Sequence, residues 1–294
     1  MDISWSTIGH KQPKQYLTNA FNRNKLAQAY IFIGPEGVGK TSLALDLAAH
    51  LLKKESRTKL SASDPDFIFI DQAEEIKITQ IRDLKQKLSL RSITGGIKIA
   101  IVAGVERFNR ESANAFLKIL EEPTGDVIFF LTTAIPGKLP NTVLSRAQKL
   151  YFASNTEEDI QNFLDTKDIS TRLKKEISEF SSDRIGFIQK LLDDKEVMRE
   201  FAEWRQEFLK ALEGDLNANL ITSSVLAKYE SSKLIEMLGF WLILADNLLI
   251  DLSRREGFGL KSFVSTIDTS LQDLGRNLNK KLILDNLFLQ INRI

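Results

Sequence analysis

The chain has 294 residues, 43% of them hydrophobic and 27% charged, with a formal net charge of +1. It is long enough for two or three domains with real cores, and its charge gives no overall pull toward nucleic acid or membrane. Zero cysteines exclude disulfides and every cysteine-based zinc site, and with only His10 and His50 a histidine metal site is not expected.

The N-terminus, MDISWSTIGHKQPK, has no charged-then-apolar leader, which argues for a cytoplasmic chain. AYIFI (Ala29 to Ile33) is a short aromatic and β-branched run and predicts a strand. GPEGVGKTS follows, from Gly34 to Ser42, and fits G-x-x-x-x-G-K-[ST] with Gly34, Gly39, Lys40 and Thr41 in the defining positions. Pro35, Glu36, Gly37 and Val38 fill the loop between. Next, SLALDLAAHLL (Ser42 to Leu52) sets Leu43, Leu45, Leu47 and Leu51 among alanines, as a helix does. By chance four such positions arise in a chain of this length about once in a hundred; the flanking strand and helix lower that further. Amides of such a loop cradle phosphates, Lys40 reaches their outer oxygens, Thr41 holds Mg²⁺, and the helix N-terminus faces the anion. The alternative is an empty structural turn.

Four more strands are predicted in order: DFIFI (Asp66 to Ile70), KIAIVA (Lys98 to Ala103), DVIFFLTT (Asp126 to Thr133) and KLYF (Lys149 to Phe152). Their near-continuous apolar character suits a parallel sheet covered on both faces, with helical segments between the strands. In LKQKLSLRSITGGIK, Lys85, Lys87, Arg91 and Lys98 are either contacts for DNA phosphates or a solvated basic face. From about Asn155 onward only helical periodicity remains. In FAEWRQEFLKAL, Phe201, Trp204, Phe208, Leu209 and Leu212 share one helix face and read as bundle core. The longest apolar stretch, LGFWLILADNLLIDL (Leu238 to Leu252), is broken by Asp246 and Asp251 and reads as a buried helix, not a membrane span.

The segments WSTIGHKQPKQYL, LAQAYIFIGPEGVGKTS, IKITQIRDLKQKLSL, ESANAFLKILEEP and FFLTTAIPGKLPNTVLSRAQ, in this order, carry a resemblance. The chain resembles the clamp-loader branch of the AAA+ proteins, and within it the bacterial delta-prime subunits. ANAFLKILEEP and LPNTVLSR are its most specific signatures. The resemblance implies an α/β P-loop AAA+ domain, a parallel sheet flanked by helices, over residues 1–153. A small helical lid domain (154–196), containing SSDRIGFIQKLL, and an all-α collar domain (197–294) follow.

It also implies a site. ATP or ADP with Mg²⁺ would sit on Gly34, Pro35, Glu36, Gly37, Val38, Gly39, Lys40, Thr41 and Ser42, with Thr133 as the γ-phosphate sensor. Arg146 in LSRAQ would be an arginine finger offered to a neighbouring subunit, where a fixed guanidinium neutralises charge developing on the transferred phosphoryl group. Arg184 in DRIG stands where a lid arginine reaches nucleotide, but reads as an ordinary exposed arginine. Two departures matter. The acids that position Mg²⁺ and water are replaced by Ala103 and Gly104, so hydrolysis is expected to be slow or absent. Glu106 falls about two residues past the strand tip: it stands in for a missing acid only if the backbone reaches back by roughly 7 Å, and otherwise reads as a solvated loop carboxylate. Related subunits carry a four-cysteine zinc module where this chain has KKESRTKLSASDPDF, so no zinc is expected.

The implied function is that of a delta-prime-like subunit of a hetero-pentameric clamp loader, with gamma/tau-like and delta-like subunits, the sliding clamp and primer-template DNA as partners. The runner-up is an ATP-hydrolysing gamma/tau-like motor subunit, disfavoured by Ala103, Gly104 and the lack of a long tail after the collar. A stand-alone small-molecule kinase has no use for ANAFLKILEEP or LSRAQ.

Overall fold

The structure is a computed structural model that describes residues 3–72, 74–92, 96–180, 184–252, 257–276 and 278–291. Residues 181–183 of the SSDRIG stretch and 93–95 of the basic stretch fall outside the described residues. The chain divides into two compact units, Met1–Ile169 with Asp183–Gly186, and Ser170–Ser182 with Phe187–Ile294.

The first unit runs α1 (Lys11–Asn22), β1 (Ala29–Ile33), α2 (Lys40–Leu51), β2 (Phe67–Asp71), α3 (Ile78–Ser89), β3 (Lys98–Ala103), α4 (Arg110–Glu121), β4 (Val127–Thr133), α5 (Asn141–Leu144), β5 (Gln148–Tyr151) and α6 (Glu157–Asp165). The five strands form one parallel sheet in the order β2-β3-β4-β1-β5. All residues of β1, β3 and β4 are buried, which accounts for their unbroken apolar sequences. Alternate side chains serve opposite layers. Ile31, Val102, Phe129 and Leu131 pack against Ile81 and Leu84 of α3 and Phe116 and Ile119 of α4. Tyr30, Phe32, Ile99, Ile101 and Phe130 meet Leu43 and Leu47 of α2 and Leu17 of α1.

Two buried charges organise this unit. Asp46 on α2 accepts from the backbone N–H groups of Ser6 and Thr7 at 2.9 and 2.7 Å and from both their hydroxyls, which pins the N-terminal segment to the helix. Lys98 is 3% exposed and its Nζ donates to the carbonyls of Pro65 and Lys87. That corrects one expectation: Lys98 is a structural strut and offers nothing to DNA, whereas Lys85, Lys87 and Arg91 are exposed.

The second unit is helical throughout its described part: α7 (Thr171–Phe180), α8 (Ile185–Asp193, with its first two residues counted in the first unit), α9 (Lys195–Glu213), α10 (Leu216–Leu226), α11 (Ser231–Leu252), α12 (Gly257–Gly275) and α13 (Lys280–Ile291). Asp194 and Asp215 cap α9 and α10 by accepting from Val197 N and Ala218 N. Phe201, Trp204 and Phe208 on α9 are buried in one core with Leu238, Phe240, Trp241 and Leu244 of α11, Phe263 of α12 and Phe288 of α13. The Trp241 indole N–H donates to Trp204 O at 2.9 Å, so this buried side chain also satisfies its polar atom. The apolar stretch from Leu238 lies in α11. Among the described residues no helix is long and apolar enough to cross a membrane.

Candidate functional site

Ile33 and Thr133 pair at the C-terminal ends of β1 and β4, and Gly34 N donates to Thr133 O at 3.2 Å, so the glycine loop leaves the sheet beside Thr133. It then feeds α2 at Lys40, with Gly39 as the N-cap residue. Such a strand end is where parallel α/β sheets place ligands. A cleft of about 210 Å³ opens there. The loop contributes Glu36, Gly37, Gly39, Lys40, Thr41 and Ser42, and β4 and its exit contribute Thr132, Thr133 and Ala134. Asp71 from β2 completes it together with Ala103, Gly104, Glu106 and Arg107 around the end of β3, and Gly186 at the start of α8.

Gly34, Pro35 and Val38 do not line the cleft, and act through their carbonyls. Lys40 Nζ donates to Gly34 O at 2.7 Å and to Pro35 O at 2.6 Å, while His10 Nε2 donates to Val38 O at 2.6 Å. Burial pushes the Lys40 ammonium down to about 8, with Glu106 and Glu36 opposing that fall and Arg184 adding to it. Lys40 therefore remains mostly cationic at neutral pH and suits an anion. Thr133 is 1% exposed, and its hydroxyl oxygen accepts from Ile135 N at 3.1 Å, which leaves the hydroxyl proton free to donate.

At the tip of β3 the place of one missing acid is filled by Arg107. Gly104 has φ +67, its N–H donates to Thr132 Oγ1, and a Cβ there would stand 1.9 Å from an Arg107 guanidinium nitrogen. Arg107 occupies that space, donating to Gly104 O and Gln72 O and lying 3.8 Å from the Asp71 carboxylate. The left-handed turn at Gly104 and the short 3-10 turn Val105–Arg107 also fold the chain back over the cleft. Glu106 is consequently no solvated loop carboxylate. Its Oε1 accepts from Ala134 N at 3.1 Å and its Oε2 is buried without a hydrogen-bond partner.

Arg184 also departs from expectation. It is half-buried and its charge acts on Lys40, because the adjoining residues are tied to the site: Ile185 N donates to Asn155 Oδ1 at 3.1 Å and Gly186 N to Gly37 O at 2.7 Å. Arg146 lies elsewhere, between α5 and β5, exposed and outside the cleft lining. Its guanidinium donates to Thr142 O at 2.9 Å and pairs with Glu121 at 2.5 Å.

Asp71, Thr132, Arg107 and Gly186 were not singled out from sequence. Asp71 ends β2 and pairs with Ala103, a juxtaposition that only the sheet register reveals. The donor set fits a metal-bound phosphate: the loop and Lys40 provide cationic and amide donors, and Thr41 and the orphaned Glu106 oxygen are hard oxygen ligands. Among the described residues no three His, Cys, Asp or Glu side chains cluster to hold a metal by themselves.

A five-stranded parallel sheet with a phosphate loop leaving its β1 strand, flanked by helices and followed by a helical region, defines a P-loop α/β protein. The family profile described as "DNA polymerase III, delta subunit" matches residues 9–156, half of the chain, and the chain belongs to that family. It is 28% identical over 227 residues to the DNA polymerase III subunit delta' of Bacillus subtilis, covering 72% of this chain and 68% of that protein. It is 32% identical over 169 residues to the subunit tau/gamma of Haemophilus influenzae, covering 53% of this chain and 25% of the relative, so it spans about a quarter of that protein. Among solved structures, a DNA polymerase III gamma subunit-related protein from Thermotoga maritima shares the fold at TM-score 0.51 and 20% identity, over 94% of this chain and 98% of that one.

Proposed function

We propose that this chain is a delta-prime-like subunit of a bacterial clamp loader, which holds nucleotide, turns it over slowly at most, and lends Arg146 to a neighbouring subunit. The observation that carries the reading is the pairing of an intact phosphate loop with Ala103 and Gly104, rather than acids, at the two positions that end β3. Lys40, Thr41 and Ser42 line the cleft, while Ala103 and Gly104 stand where metal and water would be positioned and Arg107 fills the vacated space. Bound Mg²⁺ would neutralise phosphate charge, with Thr41 as its ligand from the loop. Lys40 would leave the carbonyls of Gly34 and Pro35 to reach the phosphates, Thr133 would donate its hydroxyl proton toward the terminal one, and the loop amides would orient them.

In this reading residues 1–153 are the AAA+ domain, 154–196 the lid and 197–294 the collar that joins subunits. Partners are gamma/tau-like and delta-like subunits in a hetero-pentamer, the sliding clamp, and primer-template DNA through the assembled complex, in the cytoplasm. The rival gamma/tau-like motor draws support from the higher identity to tau/gamma, but over a shorter span, and it needs an acid where Gly104 stands.

Calorimetric titration of Mg·ATP into the chain tests the nucleotide clause, with Lys40→Ala as control: binding is expected in the first and lost in the second. Multiple-turnover hydrolysis that disappears in Lys40→Ala would overturn the slow-turnover clause. Gel filtration with candidate loader subunits tests assembly; failure to co-elute with any of them would overturn the clamp-loader assignment.

A further inference from the structure

We propose that Glu106 makes the phosphate cleft selective for metal-complexed nucleotide and excludes the metal-free form; this rests on the nucleotide-holding reading above. The position lies outside the Ala103–Gly104 pair at the end of β3.

The first argument is geometric. Ala134 N holds Glu106 Oε1 at 3.1 Å, so the carboxylate cannot swing out to solvent without breaking that bond. The other oxygen is buried, faces no donor, and belongs to a residue that lines the cleft. A buried acceptor left unpaired costs about 1–3 kcal/mol, and more when it is charged. Such an atom beside a binding cleft marks a place completed by a ligand that donates or carries positive charge.

The second argument is that Lys40 and Arg107, the cations among the cleft-lining residues, are committed. Lys40 Nζ turns to Gly34 O and Pro35 O, and feels Glu106 only through space. Arg107 is engaged by Gly104 O, Gln72 O and Asp71. Neither satisfies Oε2.

The third argument is electrostatic. Glu36, Asp71 and Glu106 line the cleft against Lys40 and Arg107, with Arg184 close enough to act on Lys40. A bare polyphosphate brings its full negative charge against a fixed, half-buried carboxylate, and like-charge juxtaposition is costly. A divalent cation on the phosphates reverses the sign of that contact, because the oxygen that repels phosphate attracts the ion or a water on it. Glu106 thus discriminates by penalising the wrong form as well as favouring the right one.

The test is the affinity of the full chain for a fluorescent ADP analogue, in Mg²⁺ and in EDTA, for the natural protein and Glu106→Gln. The natural protein is expected to bind about tenfold or more tighter with the metal, and the amide variant to narrow that ratio below about threefold, chiefly by gaining metal-free affinity. Mn²⁺ replacing Mg²⁺ gives an independent readout: water-proton relaxation should report less metal in the variant's nucleotide complex. A natural protein that binds the analogue equally in Mg²⁺ and EDTA overturns the inference whether or not the variant folds. So does an unchanged ratio in a folded variant, as judged by its thermal transition. Absence of nucleotide binding in every condition overturns both this inference and the nucleotide-holding reading, whereas the preceding outcomes overturn this inference alone.

Discussion

At the tip of β3 the backbone of Gly104 turns through φ +67 and leaves room for the Arg107 guanidinium, 1.9 Å from where a Cβ would stand. An acid placed there must adopt a strained left-handed backbone and displace Arg107, so no gain of motor activity is expected. Gly104→Glu forces a side chain into a left-handed conformation and expels Arg107 from its bonds to Gly104 O and Gln72 O. The strain alone costs about 1–3 kcal/mol. Denaturant unfolding should show the variant less stable by at least that much, and a turnover assay should show no gain in hydrolysis; a stable, faster variant would mean that the space is not committed to Arg107. From sequence Gly104 reads as a lost acid and Glu106 as a residue too far along to matter. Both readings treat the strand as running straight, and the turn at Gly104 bends it back.

Between elements, the start of α8 is stitched to the phosphate loop by Gly186 N to Gly37 O at 2.7 Å, and a Cβ on Gly186 would also stand 2.7 Å from that oxygen. Gly186→Ala must lengthen this contact, since a backbone oxygen cannot yield as a flexible side chain can. The bond exists without ligand, so its loss should lower stability by about 0.5–1.5 kcal/mol and the thermal transition by about 2–4 °C, with nucleotide affinity reduced only as far as the phosphate loop is displaced; an unchanged transition would show the stitch to be incidental. In the helical unit the corresponding joint links α10 to α13, where Asp285 accepts from Lys281 and Ser223. Burial pushes the Asp285 carboxyl up, but the bonds from Lys281 and Ser223 outweigh it and hold the group below its ordinary 3.8. The folded protein thus holds this proton less tightly than the unfolded chain does. The stabilisation is present above the unfolded value and is lost as pH falls through the folded one. Asp285→Asn should lower the melting temperature by about 2–4 °C at pH 7, with the gap closing as pH falls below the ordinary carboxylate range. A gap that persists in acid would assign the effect to packing.

On the scale of the whole molecule, Arg146 is held at the surface of the first unit by Thr142 O and Glu121, away from the cleft that contains Lys40. Both groups of the Glu121 pair are substantially exposed, and such pairs contribute about 0–1 kcal/mol. A neighbour's phosphate can therefore replace Glu121 at little cost. Arg146→Ala should leave assembly by gel filtration intact and slow ATP hydrolysis at the neighbouring site by about 10³-fold or more. Unchanged turnover would sink the finger assignment, and lost assembly would make Arg146 an interface residue instead.

Order and type of the elements in the first half were legible because their causes are local. AYIFI, KIAIVA and VIFFLTT are apolar throughout since both faces of their strands are covered, and the spacing from Gly34 to Thr41 is a property of one short loop. The aromatic face of α9 was legible for the same reason, as helical period maps directly onto burial. What the chain does at its cleft was decided by residues distant in sequence. Strand pairing set Asp71 beside Ala103, a turn returned Glu106 to Ala134, Arg107 took the space of a missing side chain, Gly186 reached Gly37, and Lys98 went inside to hold Pro65 and Lys87. Spacing carries no information about such contacts, because each depends on which surfaces meet once the sheet has formed and on the polar atoms that burial then obliges to find partners.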